Sequence, residues 1–108
     1  MTVSELAQAV EARAICLPRA DREIEGAYIG DLLSWVMGRA PANSAWITIM
    51  SNINVVAVAS LADVACVIFA EGVEPDDQAK AKAENEGINL ISSKLAAYEL
   101  SVKLSNLI

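Results

Sequence analysis

The feature that most constrains this chain is the alternation that begins near residue 45. "AWITIM" (45–50) is rich in β-branched and aromatic residues and reads as a buried strand. "SNIN" is a turn, and Asn54 is placed to cap the helix "VVAVASLADV", which is apolar on nearly every side and must be covered on more than one face. "CVIFA" (66–70) is a continuous apolar strand, as a parallel strand covered on both faces requires. Pro75 then sits at a helix N1 position, with Asp76 and Asp77 beside the positive helix end, and Gly87 stops that helix. "INLIS" (88–92) is the last strand, and Ser93 is placed to cap a final helix with Leu95, Tyr98 and Val102 on one stripe, followed by Leu104 and Leu107. Strand and helix alternating at this spacing mean right-handed crossovers and a parallel sheet.

The first 44 residues add less regular pieces. Thr2 and Glu5 have capping-box spacing ahead of a helix whose Leu6 and Val10 share a face. Short strands follow at 12–17 and 24–29, separated by Pro18 and a charged turn. Gly30-Asp31 opens a further helix, with Asp31 as N-cap and Leu32, Trp35 and Val36 on one face. The expectation is an α/β fold in three layers, α/β/α, around a mainly parallel sheet of about five strands. The 108 residues fit one domain spanning 1–108, with no linker or repeat between its parts.

Composition excludes several function classes. Hydrophobic residues make up 55% and aromatics 5%, so the core is built from Ala, Val, Ile and Leu. A net charge of −6 with scattered basic residues disfavours nucleic acid and anionic membranes, whose binding depends on Lys and Arg. Residues 40–62 carry no charge, but Pro41, Asn43, Ser44, Ser51, Asn52 and Asn54 interrupt them, so they do not read as a membrane span. The chain has no histidine, which removes Ser-His and Cys-His activation and most transition-metal sites. Cys16 and Cys66 lie in apolar runs and read as buried, reduced thiols; no signal peptide is recognisable, and a cytoplasmic location is expected. No P-loop and no G-x-G-x-x-G run occurs, and no cofactor or metal is expected.

Candidate ligand-binding residues cluster at strand ends. Thr48, Ser51, Asn52 and Asn54 lie where a parallel strand meets a helix N-terminus, a place where α/β sheets bind ligands. A tight turn with an N-cap accounts for the same residue types. Tyr28, Gly30 and Asp31 form a second candidate, for which a cap and a turn are again the alternative. Gly72, after the third apolar strand, needs only a turn. Trp35 and Trp46 read as core or interface rather than a stacking platform. The acidic group Glu74, Asp76 and Asp77 lacks calcium-loop spacing. Asp31, Ser34 and Ser51 would be the only nucleophile or acid/base set, and nothing near them in sequence activates them.

At "GAYIGDLLSWVMG" (26–38), "AWITIMSNINVVAVASLADVACVIFAEGVEPD" (45–76) and "GINLISS" (87–93), the chain resembles the DRTGG domain family, and among it the small stand-alone members labelled HPr serine kinase-like. The resemblance covers nearly the whole chain, and the first block is its most specific part. It implies a fold similar to the N-terminal domains of HPr kinase/phosphorylase and Mur ligases. It also implies a regulatory role, often beside CBS domains, and in some members a part in a dimer interface. Stand-alone members look like accessory proteins of anaerobic redox metabolism. The kinase activity does not carry over, because the P-loop of HPr kinase lies in a domain absent here. The family's Gly-Asp-Arg turn is altered: Met50-Ser51-Asn52 stands in its place, without either charge. The expected function is that of a non-catalytic regulatory or interaction domain, a homodimer with a further protein partner of unknown identity. The alternative is a sensor of a nucleotide or phosphorylated metabolite at loop 48–54. The 53–62 helix, Trp35 and the tail 104–108 are the candidate self-association contacts.

Overall fold

Helix α1 (Val3–Ala9) begins with the capping box expected from Thr2 and Glu5: each side chain pairs with the other residue's backbone N–H. Its face of Val3, Leu6 and Ala7, continued by Val10, is buried. The computed structural model describes Met1–Ile108 and continues through β1 (Arg13–Cys16), β2 (Gly26–Ile29), α2 (Leu33–Arg39), β3 (Ser44–Thr48), α3 (Ile53–Ala62), β4 (Cys66–Phe69), α4 (Asp77–Glu86), β5 (Leu90–Ser92) and α5 (Ala97–Leu107). The five strands form one sheet in the order β1-β5-β4-β3-β2. Strands β2 to β5 are parallel, in chain order across the sheet, and β1 is antiparallel on β5 with an irregularity between Ala14 and Cys16. The sheet is therefore mixed, with a parallel majority.

Alternation along the strands gives each face its own core. Ala45 and Ile47 of β3, Cys66 and Ile68 of β4 and Ile91 of β5 pack with α1 and with Leu100 and Leu104 of α5. Trp46, Val67, Phe69 and Leu90 point the other way and meet Val36 of α2, four residues of α3, and Ala79 and Ala83 of α4. Three helices thus cover one face and two the other, which makes the three layers. Strands β3, β4 and β5 are buried at every position, the burden a central parallel strand carries. Helix α3 packs between α2 and α4 with Val55, Val56, Val58 and Ala59 inside, as its apolar composition requires.

Several caps differ from expectation. Asp31 is not the N-cap of α2; Leu32 holds that position without a side-chain bond, because the Asp31 carboxylate is engaged across the strand ends. Asn52, not Asn54, caps α3, its Oδ1 accepting from the Asn54 N–H. Asp76 caps α4, which places Pro75 one residue outside the helix. Ser93 lies three residues before the α5 cap, Ala96, and its hydroxyl donates to the Val10 carbonyl. The buried stripe of α5 is Leu100 and Leu104, while Tyr98, Val102 and Leu107 face solvent. On α2 only Val36 is buried, with Leu32 and Trp35 exposed and the Arg39 guanidinium stacked over the Trp35 ring. Gly87 ends α4 at φ +73°, as read from the sequence.

Asn89 closes the opposite end of the sheet and carries no signal in the sequence. Buried at the start of β5, its side chain accepts from the Arg19 N–H and donates to the carbonyls of Arg19 and Ala65. Both amide hydrogens and the oxygen are engaged, so an irregular segment and a β-strand entry are locked together.

Candidate functional site

The carboxyl ends of β2 and β3 bring the expected residues together in part. The Thr48 hydroxyl, 2% exposed, donates to Asp31 Oδ1 at 2.7 Å, and the Ile49 N–H donates to the same oxygen at 2.9 Å. Thr48 Oγ1 also accepts from the Met50 N–H. A hydroxyl held by a carboxylate has the form of a nucleophile and base, but this one is enclosed and both its roles are taken by the protein. Asp31 and Thr48 therefore act as a clasp between the β2–α2 turn and the end of β3. Asp31 makes no bond to Ser34 or Ser51. Gly30 joins the clasp from the side: its carbonyl accepts from the buried Trp46 indole N–H at 2.9 Å. Trp46 is core, as expected.

The rest of loop 48–54 is less committed. Ser51 contributes its carbonyl to the Asp76 N–H, and Asn52 accepts from the Val55 N–H with its carbonyl and from the Asn54 N–H with its side-chain oxygen, for the cap. The Ser51 hydroxyl, the Asn52 amide nitrogen and the Asn54 side chain have no partner within the protein. Exposed apolar residues stand at the ends of β2 and β3 and on the segment into α2: Ile29 at 50%, Leu32 at 58%, Trp35 at 52% and Ile49 at 48%.

The two main cavities lie elsewhere. One, of about 460 Å³, opens at the carboxyl ends of β4 and β5 and is lined by Gly72, by Ser92 to Leu95, and by Glu11, Arg13 and Glu74 from neighbouring segments. Gly72 has φ +74°, and its amide donates to the Ser93 carbonyl, so the turn after β4 is fastened to the end of β5. The other, of about 420 Å³, is an apolar groove between β2 and α5, lined by Gly26 to Ile29, Ile47, Ser101, Leu104, Ser105 and Ile108. Of the expected ligand residues, Tyr28 lines the groove and Gly72 the first cavity; Thr48, Ser51, Asn52 and Asn54 line neither. Leu104, an expected self-association contact, is a core residue, while Ile108 beside it is half exposed.

The two cysteines are free and buried. Burial pushes both thiols up to about 12, helped at Cys16 by the neighbouring Glu84 carboxylate, to which its Sγ donates at 3.1 Å. Neither is a thiolate nucleophile near neutral pH. No helix is long and apolar enough to cross a membrane.

No family model matches the chain, and no curated protein matches it. Among solved structures it is similar to the CBS and DRTGG domains of the regulatory region of Clostridium perfringens pyrophosphatase, complexed with the activator diadenosine tetraphosphate. The superposition has a TM-score of 0.76 at 11% identity, covering 95% of this chain and 45% of that one. At that identity the likeness is one of fold, and this chain spans under half the length of its neighbour.

Proposed function

We propose that this chain is a non-catalytic regulatory domain that works by pairing with a second copy of itself along β2. The observation that carries the reading is the apolar groove beside an open sheet edge. Strand β2 is the last strand of the sheet; the Gly30 N–H points inward to the Ile47 carbonyl, so by alternation the backbone groups of Ala27 and Ile29 face outward. No charged residue lines the adjoining groove, although the chain carries −6. A second copy can approach there without bringing like charges together, and a two-fold axis would let each β2 edge and each groove serve both partners. Exposed Ile29, Val102, Leu107 and Ile108 supply apolar area around it. The likeness of fold to a regulatory region supports the regulatory part, and the resemblance to DRTGG domains supports an accessory role in anaerobic redox metabolism and a further protein partner.

Sedimentation equilibrium at about 50 µM, a concentration that populates any dimer of micromolar Kd, is expected to give twice the 11.4 kDa chain mass. Ile29→Lys places a charge in the groove and should give the single-chain mass with unchanged circular dichroism. A wild-type chain that stays monomeric overturns the pairing, and a dimer indifferent to Ile29→Lys overturns its location.

A second reading, sensing of a nucleotide or phosphorylated metabolite at Tyr28–Asp31 and Thr48–Asn54, is favoured by the free Ser51, Asn52 and Asn54 groups and by the activator-bound state of the structural neighbour. It expects nucleotides at millimolar concentration to raise the melting temperature through mass action on the native state. A flat response across a nucleotide and sugar-phosphate panel counts decisively against it.

A further inference from the structure

The order of the strands contains a switch point that loop 48–54 does not occupy. In an open α/β sheet the ligand crevice lies outside the carboxyl ends of two adjacent strands whose connections leave to opposite faces, since the diverging segments leave a gap between them. Strands β2, β3 and β4 all send their helices to the face of Trp46 and Phe69, so the Thr48 end has no such divergence. Strand β5 sends α5 to the other face, where Leu100 and Leu104 meet Ile47 and Ile68. The divergence falls between β4 and β5, which is where the cavity of about 460 Å³ opens.

We infer that this cavity is a binding site for a small zwitterion of the free amino-acid class. The lining decides the chemistry. It holds two cations, Arg13 and Lys94, two anions, Glu11 and Glu74, two buried serines, and Leu95 as its one hydrophobic residue. The absence of any aromatic wall leaves nothing for a nucleobase to stack on. A polyphosphate would face both glutamates, whereas a ligand carrying one carboxylate and one ammonium meets a partner for each. Antiparallel pairing sets Arg13 opposite Ser92, so the guanidinium stands at the β5 end, where its fork suits a carboxylate. Lys94 makes no ion pair in the free protein, and neither does Glu11. Arg13 is paired with Glu74, but both side chains are largely exposed, at 61% and 44%. Exposed pairs of this kind contribute little, so a ligand can insert between them and engage each with its opposite charge. Gly72 leaves open space where a side chain would begin, which keeps the floor of the cavity accessible. Binding here would also bear on α5, because the Ser93–Leu95 segment that lines the cavity leads directly into that helix.

The inference is independent of pairing through β2, and amide-resolved NMR separates the two. Each standard free amino acid, and inorganic phosphate and ATP as contrasting anions, is titrated into the full-length protein to the millimolar range. The expected result is that at least one amino acid shifts the amides of Gly72 and Ser92 to Leu95, and that Lys94→Ala and Arg13→Gln each weaken that binding by about tenfold. Both positions are exposed, so the variants keep the fold, which the unchanged spectrum elsewhere verifies. The inference is overturned if no amino acid moves these amides, or if phosphate alone moves them as strongly. If the only shifts in the whole series are those of residues 48–54 on adding ATP, the inference is overturned and sensing lies at the β3 end instead.

Discussion

The clasp between Thr48 and Asp31 can be tested by exchanging the hydroxyl for a methyl. Thr48→Val keeps the side-chain shape at a site only 2% exposed but removes both the donor to Asp31 and the acceptor for the Met50 N–H. A hydrogen bond to a charged group contributes about 1.5–3 kcal/mol, and the Asp31 carboxylate retains the Ile49 N–H and access to water, so a loss of about 2 kcal/mol is expected. For a chain of this length that lowers the melting temperature by roughly 8 °C. Thr48→Ser keeps the hydroxyl and removes one buried methyl, which costs about 1 kcal/mol. The order of stability should therefore be wild type, then serine, then valine, read from urea and thermal unfolding by far-ultraviolet circular dichroism. Combining Thr48→Val with Asp31→Asn should be less damaging than the sum of the two, by about 1 kcal/mol, since both remove the same contact. If valine equals or exceeds serine, the hydroxyl is not what holds the strand ends together, and the assignment of Asp31 to structure rather than chemistry fails with it.

Two further outcomes follow from buried groups. Asn89→Asp removes the donors to the Arg19 and Ala65 carbonyls and sets a charge against them, so urea unfolding should show a loss of at least about 3 kcal/mol, with Asn89→Ala intermediate. The thiols, held at about 12 in the fold against 9.0 when free, stay neutral in the native state while the unfolded chain ionises. Their contribution to stability is complete below pH 9 and is lost as pH rises toward 12, so the urea midpoint should fall over that window, and less steeply in Cys16→Ala/Cys66→Ala. A thiol reagent at pH 8 should label neither cysteine until the protein unfolds.

Much of the architecture was legible in the residues because it follows from local periodicity. The continuous apolar runs of β3, β4 and β5 could only be strands covered on both faces, and the all-round apolar α3 had to bury more than one face, which Val55, Val56, Val58 and Ala59 do, although Leu61 stays 72% exposed. The Thr2–Glu5 box and the Gly87 stop are decided within one turn of backbone. Asn, Asp and Ser near helix starts are a weaker guide, since two or three neighbours compete for each cap; Asn52 and Asp76 hold theirs, whereas Asn54 and Ser93 do not. Trp35 and Val102 show the same weakness in a different form. Each fits an apolar stripe, but the stripe actually buried depends on where the sheet lies, which no single helix specifies.

What the sequence alone determined is therefore the layer type, the parallel core and the lack of histidine-based chemistry, all of which depend on residue identity and near-neighbour spacing. The tertiary structure decided where a ligand could enter. A strand end followed by a helix looks the same in sequence whether that helix folds over one face of the sheet or the other. Thr48–Asn54 and Ser92–Leu95 are both such ends, and only the path of α5 across the sheet makes the second a point of divergence. Arg13 and Glu11 reach it from a distant part of the chain because β1 returns antiparallel beside β5, a pairing that no local pattern in "RAIC" foretells, while Glu74 comes from the segment after the neighbouring β4. Asn89 is hidden for the same reason: its two partner residues, Arg19 and Ala65, lie 70 and 24 residues away, and their meeting is a property of the fold.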